Sequence, residues 1–350
     1  MNQPKNILIV RTDRIGDVVL SLPLIDIIKQ SFPKCRISFL VRNYTADLVE
    51  NYTGVDEVLI LKEKSSKAEL ISNLRLLRNK KFENAIVVYP TFIISLIVFL
   101  SGIKNRIGSG YRWYSFFFNK KVYEHRKTAE KHELEYNISM LKQIGIDFNY
   151  KDLKPNYNFN LSDTLRTKIN DLFKELGFSI DKLTVIVHPG SGGSAVDLPL
   201  PKMKELVEKI SSLDCNILIT GGKSESDLCA KFEISNNIKS VAGKLNLSEL
   251  ITLISFSNIF IGNSTGPLHI ASALGKYVIG FYPKILACSP NRWGPYTENK
   301  LVFVPEIDCA NCTREQCTKL NCMDTINIDS VFANIQKIYK LLINNGDFNE

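Results

Sequence analysis

Short apolar runs recur along the chain, each followed by a turn and then by apolar residues at helical spacing. ILIV near the start, then RISFLV, VDEVLIL and AIVVY, and later TVIV, CNILIT and NIFIG read as strands buried on both faces. Shorter strands are expected at Arg106-Ile107-Gly108 and at the start of SVAGKLNLSELITLISFS, whose remainder is a loop and a helix. VVLSLPLIDIIKQSF, Ala68–Asn79, HELEYNISMLKQIG, SDTLRTKINDLFKELG, LPKMKELVEKISSL and DSVFANIQKIYKLLIN carry the helical period. Gly145 and Gly177 stand where C-caps are expected. The alternation implies an α/β protein of parallel sheets with right-handed crossovers.

The 350 residues fit two such domains better than one core. Residues 146–163 are polar and turn-rich, which divides the chain into 1–160 and 161–350. Asn84–Ile103 carries no charge over the length that a bilayer requires. Pro90 splits it into a strand, AIVVY, and an apolar helix, IISLIVFLSG, so it is read as core. Met1-Asn2-Gln3-Pro4-Lys5 runs directly into ILIV with no signal-peptide pattern, and a cytoplasmic, reduced protein is expected. Of eight cysteines, Cys35, Cys215, Cys229 and Cys288 are scattered and read as small buried apolar residues.

Composition adds a direction. A net charge of +8 favours anionic partners, but no basic run is long enough for a nucleic-acid tail, so nucleic acid is not expected as a partner. Ser109–Lys131 is aromatic and basic without a clear period, and includes Arg112, Lys120, Lys121, Arg126 and Lys127. It suits a sugar-phosphate or lipid-headgroup acceptor, or a packed loop.

Candidate chemistry gathers where strands end. In SNIFIGNSTGPLHIASALG a strand runs into GNSTGP and then into a small-residue helix. Gly262 and Gly266 are expected to make the turn tight, Pro267 suits the first helical position, and Ser264, Thr265 and His269 stand at the helix start. Free amides and the helix dipole make such a junction an anion site. HPGSGGS, with Ser191 and Gly192, and TGGKSESD, with Glu225 and Asp227, are two further turns after strands. The first can bring amides against phosphate, and the second can offer carboxylates to ribose hydroxyls. Three such strand ends in one domain point to nucleotide binding. In the first domain RTDRIGD places Arg11, Asp13, Arg14 and Asp17 after the opening strand, without a GxGxxG dinucleotide pattern. Cys309, Cys312, Cys317 and Cys322 fall within fourteen residues. Zinc there is the minor reading, and a compact cluster of reduced thiols is the main one.

ILIVRTDRIGDVVLSLP, HPGSGG and GNSTGPLHIASALG together resemble glycosyltransferase family 9, the ADP-heptose:lipopolysaccharide heptosyltransferases, in order and spacing over nearly the whole chain. The resemblance implies a GT-B fold of two Rossmann-like domains facing across a cleft. Residues 1–160 would bind the acceptor, and 161–350, with the Cys-rich loop and terminal helix, the nucleotide-sugar. It implies inverting, metal-independent transfer without a cofactor, from an ADP-heptose donor to a lipopolysaccharide core or related glycolipid. That acceptor allows peripheral contact with the inner membrane. Carried over by position, Asp17 matches the general base, with Arg11, Asp13, Arg14 and Arg112 on the acceptor side. Ser264, Thr265, Gly266 and His269 match the diphosphate segment, and Ser191, Gly192 and Glu225 the donor-side loops. Lys244 and Leu245 lie near where the family encloses adenosine. Two departures bear on the donor sugar. Ser264 stands where some heptosyltransferases have aspartate, and Val196-Asp197-Leu198-Pro199 replace a basic residue that often precedes tryptophan. The alternatives are a GT-B enzyme with another donor, and a non-catalytic sugar-nucleotide binder.

Overall fold

The computed structural model describes residues 3–150, 153, 157–307 and 313–345. The chain divides into two compact units, one of Met1–Arg126 with Lys131–Asn160, the other of Lys127–Glu130 with Leu161–Glu350.

The first unit is built on β1 (Asn6–Val10), β2 (Arg36–Val41) and β3 (Glu57–Ile60). A small antiparallel hairpin of β4 (Glu63–Lys64) and β5 (Lys67–Ala68) follows. Then come β6 (Asn84–Val87), β7 (Asn105–Ser109) and β8 (Lys120–Val122). The six-stranded sheet has the order β3-β2-β1-β6-β7-β8, every pairing parallel. The second unit holds β9 (Thr184–His188), β10 (Asn216–Ile219) and β11 (Ile238–Ser240), then β12 (Ile259–Asn263), β13 (Tyr277–Phe281) and β14 (Lys300–Phe303). Its order, β11-β10-β9-β12-β13-β14, is again all parallel. Each sheet therefore reverses its direction of growth once, beside its first strand. Open α/β sheets form their ligand crevice outside the strand ends at such a reversal.

The strands are almost wholly apolar because both faces are covered. In the second unit Val185, Ile217, Ile259 and Ile279 share a core with Met203, Leu206 and Val207 of the helix Leu200–Ile210. Val331, Ile335 and Leu342 of the last helix, Ile328–Asn345, join the same core, as its amphipathic pattern suggests. In the first unit Leu8, Val10, Ala85 and Val87 pack with Ile94, Ile97 and Val98 of the helix Phe92–Leu100. No helix among the described residues is long and apolar enough to cross a membrane.

Several elements depart from expectation. VVLSLPLIDIIKQSF is two helices, Ile15–Val19 and Pro23–Ser31. Pro23 has no N–H to continue the first and opens the second instead. Lys120–Val122, inside the expected loop Ser109–Lys131, completes the sheet as its edge strand. Lys67–Ala68 belongs to the hairpin, so the next helix is Leu70–Arg78. The helix Glu133–Ser139 tightens into a 3-10 turn before Gly145, which ends it with φ +87°.

Gly108 on β7 illustrates how closely these layers approach. A Cβ there would lie 2.6 Å from the ring of Phe118, itself buried in the core. Gly108→Ala should destabilise the first unit by about 1–3 kcal/mol. The check is its melting temperature, with partial recovery in Gly108→Ala/Phe118→Leu.

Candidate active site

In the first unit the reversal of the sheet lies at β1 and β6, and Arg11–Asp17 leaves the end of β1. Arg11 is only 2% exposed, so its charge must be met inside the protein. Its Nε donates to Asp13 Oδ1 at 2.7 Å, its Nη2 to Asp17 Oδ1, and its Nη1 to Asn137 Oδ1 at 3.4 Å. Glu133 Oε1 stands 3.6 Å from Nη2 and also pairs with Arg126. Burial opposes the Arg11 charge, but Asp13, Asp17 and Glu133 outweigh it and hold the guanidinium above its usual pKa. Burial pushes the Asp13 carboxyl up to about 6 despite the pull of Arg11, with the Asp17 charge adding to the rise. The Tyr44 hydroxyl donates to the Asp13 carbonyl and closes the loop.

Asp17 sits in the first turn of its helix, its side chain 15% exposed. Arg11 holds Oδ1, while Oδ2 carries no hydrogen bond among the described residues. It is thus a carboxylate oriented by one oxygen and open at the other. Arg14, the residue before this helix, is exposed and shares no ion pair among the described residues. Arg112 is exposed on the aromatic segment and shares no hydrogen bond or ion pair with the Arg11 group among the described residues. The structure thus joins Arg11, Asp13 and Asp17, and adds Glu133, Asn137 and Arg126. Glu133 and Asn137 gave no signal in the sequence, because only tertiary packing turns that helix towards Arg11.

In the second unit the reversal lies between β9 and β12, whose ends carry HPGSGGS and GNSTGP. Asn263, fully buried, stitches these turns together. Its Nδ2 donates to Pro189 O at 2.7 Å, and its Oδ1 accepts from Leu198 N at 2.8 Å. Ser194 Oγ donates to Ser264 O at 3.4 Å. Gly262 is not a turn former: it lies in β12, where a Cβ would come 3.1 Å from the His188 carbonyl oxygen. Gly266 also lacks a left-handed φ and opens the helix Gly266–Ala273, with Pro267 after it.

The start of that helix holds two unusual atoms. Thr265 Oγ1 and His269 Nδ1 are buried and have no hydrogen-bond partner among the described residues. The two residues are one helical turn apart, and His269 N donates to Thr265 O at 3.4 Å. Burial pushes the His269 pKa down to about 4, leaving a neutral ring. Buried polar atoms are nearly always paired, and these two stand unpaired where a helix N-terminus favours negative charge. Ser289 Oγ, in the loop after β13, is also buried without a partner among the described residues and was not singled out in the sequence.

The remaining donor-side residues are arranged differently from expectation. Glu225 accepts from Gly222 N at 2.8 Å and from Gly192 N at 3.3 Å. Its Oε1 would be 1.9 Å from a Cβ on Gly190, so that glycine makes room for the carboxylate. A side chain therefore occupies the Gly192 amide in this state. Ser191 Oγ accepts from Ala195 N at 3.2 Å within its own turn. Asp227 is exposed on the short helix Ser226–Ala230. Gly243, at φ +73°, donates to Gly221 O at 3.0 Å and ties the segment bearing exposed Lys244 and half-buried Leu245 to the Glu225 turn. His188 Nδ1 and Thr220 Oγ1 are 2.9 Å apart beneath these turns.

Cys317 and Cys322 are buried in a small cluster with Ile285, against which Val196 and Cys288 pack, while Cys309 and Cys312 lie outside the described residues. Among the described residues no three His, Cys, Asp or Glu side chains form a metal-holding group.

The sequence profile of glycosyltransferase family 9 (heptosyltransferase) matches residues 71–323. A Haemophilus influenzae protein described only as a glycosyltransferase is 28% identical over 341 residues, covering 95% of this chain and 96% of that one. Lipopolysaccharide heptosyltransferase 3 of Escherichia coli is 22% identical over 299 residues, covering 82% and 85%. The crystal structure of a family 9 glycosyl transferase from Veillonella parvula superposes with a TM-score of 0.82 at 16% identity, covering 97% of this chain and 98% of that one. E. coli ADP-heptose lps heptosyltransferase II gives 0.75 at 18% identity, covering 95% and 98%. These structures share the α/β GT-B fold, with two Rossmann-like domains in one chain. The chain belongs to glycosyltransferase family 9, the heptosyltransferase family, and is a glycosyltransferase.

Proposed function

We propose that this glycosyltransferase moves heptose from ADP-heptose to a lipopolysaccharide core or related glycan, on the cytoplasmic side, with inversion and without a metal. The observation that carries this reading is a pair of buried atoms unpartnered among the described residues, Thr265 Oγ1 and His269 Nδ1, where the helix Gly266–Ala273 starts at a sheet reversal. A nucleoside diphosphate supplies the negative oxygens that such a place needs. The heptose and the acceptor are taken from relatives named for lipopolysaccharide and ADP-heptose.

In the reaction, an acceptor hydroxyl oxygen attacks the anomeric carbon as the bond to the diphosphate oxygen breaks. A single displacement of this kind inverts the carbon. The hydroxyl proton passes to Asp17 at Oδ2, the oxygen that Arg11 leaves open. Arg11 fixes the carboxylate, and Asp13 and Glu133 keep Arg11 in place. Charge growing on the leaving diphosphate is met by the Thr265 hydroxyl, the first helix amides, and His269 once it gains a proton. Ser191, Gly192, Glu225, Lys244 and Leu245 would enclose the nucleoside, and Glu225 would then exchange its amide partners for ribose hydroxyls. Arg14 and Arg112, exposed cations of the first unit, would meet acidic groups on the acceptor.

A different donor sugar is the second reading. It is favoured by Ser264, by the Val196-Asp197-Leu198-Pro199 replacement, and by a relative whose description states no donor. A panel of ADP- and UDP-sugars, assayed with chelator present against truncated lipopolysaccharide, decides between them.

Two expectations follow for the donor site. Thr265→Val and His269→Ala should each weaken ADP binding on the order of 10- to 100-fold in calorimetry. A diphosphate beside His269 favours the charged ring, raising its pKa from about 4. ADP binding should then draw in a proton and strengthen as the pH falls from about 8 to about 6. Titrations in buffers of different ionisation enthalpy read that proton, and His269→Ala should abolish it. Unchanged affinity in both variants would remove the diphosphate from this site.

For Asp17, the expected effect of Asp17→Asn is a loss in kcat on the order of 100-fold or more, with ADP affinity nearly unchanged. Asp13→Asn, which loosens Arg11 without touching the reacting hydroxyl, should cost less. Normal turnover in Asp17→Asn with a lowered melting temperature would assign that carboxylate to structure alone.

A further inference from the structure

The first unit carries an apolar surface that the transfer chemistry does not use. The helix Phe92–Leu100, FIISLIVFL, contains no charged residue. Its inward side chains, Ile94, Ile97 and Val98, are buried, but the side facing away from the core is also apolar, with Phe92, Leu96 and Phe99. A surface helix ordinarily turns a polar face to water, and one that is apolar all round needs another apolar phase.

Neighbouring rings enlarge this face. Phe117, itself buried, lies 5.8 Å from Phe92, 5.3 Å from Phe99 and 4.4 Å from Phe116 by ring centroids. Trp113 stacks on Phe92 at 5.2 Å, yet is 73% exposed, and Phe116 is 61% exposed. Four aromatic side chains thus stand open around one buried ring.

The stretch of chain that carries this face is of one sign. Between Asn84 and Tyr123 the chain has no aspartate or glutamate, but carries Lys104, Arg106, Arg112, Lys120 and Lys121. The Arg106 guanidinium lies 5.2 Å from the Phe99 ring centre, and Arg78 Nε donates to Leu100 O at 3.3 Å. The adjoining helix Leu70–Arg78 also lacks a carboxylate.

We propose that this face docks the protein on an anionic phospholipid bilayer, with Trp113, Phe92, Phe99 and Phe116 entering the interface and the basic rim meeting headgroups. Aromatic rings are the side chains that settle at the headgroup level, and nearby lysine and arginine add attraction to acidic lipid. A second copy is the poorer occupant, since an isologous contact would set one basic rim against another. The inference does not depend on which sugar is transferred.

The test uses the whole chain and vesicles of phosphatidylethanolamine with phosphatidylglycerol, against phosphatidylcholine alone. Co-sedimentation is expected with the anionic vesicles only, and should weaken as salt is raised. Phe99→Ser/Trp113→Ser should lose binding about 10-fold or more, with ADP affinity and melting temperature retained as proof of an intact fold. The chain has two tryptophans, so Trp293→Phe leaves Trp113 alone to report a blue shift on anionic vesicles. Absence of binding to anionic vesicles, or equal binding by the double variant, would overturn the proposal. Concentration-dependent self-association that the double variant loses, without vesicle binding, would overturn it in favour of a second copy.

Discussion

A buried guanidinium sets the terms for the first unit. Arg11 lies at the end of β1 almost wholly out of water, where an unpaired charge would not be tolerated. Its donors reach Asp13 and Asp17 on its own loop, and Glu133 and Asn137 on a helix more than a hundred residues later. The loop geometry, the position of that helix and the orientation of Asp17 are therefore one arrangement. Removing Arg11 would leave Asp13 and Asp17 without a cationic partner among the described residues, while Glu133 would keep Arg126. The direction of the Asp17 carboxylate is thus fixed by a residue too constrained to move.

The second unit works by the opposite device. Asn263 is hydrogen-bonded at both side-chain polar atoms and holds two turns in register, but Thr265 and His269 beside it have buried polar atoms unmet among the described residues. An unmet buried hydrogen-bonding atom destabilises the free protein, a cost that a ligand bound there would remove. The Glu225 carboxylate already rests on backbone amides of the neighbouring turns. An anionic side chain thus sits where the sequence suggested an anionic ligand, which shows that these amides attract negative charge. The strand reversal between β9 and β12 gathers all of this at one end of one sheet.

Aromatic side chains divide between the same two demands. Phe118 and Phe117 are spent on the core, while Phe92, Trp113 and Phe116 remain at the surface. The apolar stretch that resembled a membrane span is thus a strand and a helix, with the helix apolar on its outer side as well.

The sequence by itself determined the alternation of strands and helices, because buried parallel strands read as apolar runs and helices keep their own period. It also located the glycine turns and the carboxylates, since these are local features. Pro23 could have been read as a break between helices, because its missing N–H acts within its own segment. Lys120–Val122 could not have been read as a strand, because an edge strand with polar side chains owes its place to its neighbour's hydrogen bonds. The ion pairing of Glu133 with Arg11, the stitching by Asn263, and the solitude of Thr265 Oγ1 and His269 Nδ1 were decided only by tertiary structure. Each depends on which distant groups come within hydrogen-bonding reach, and that follows from strand order, which local patterning does not encode.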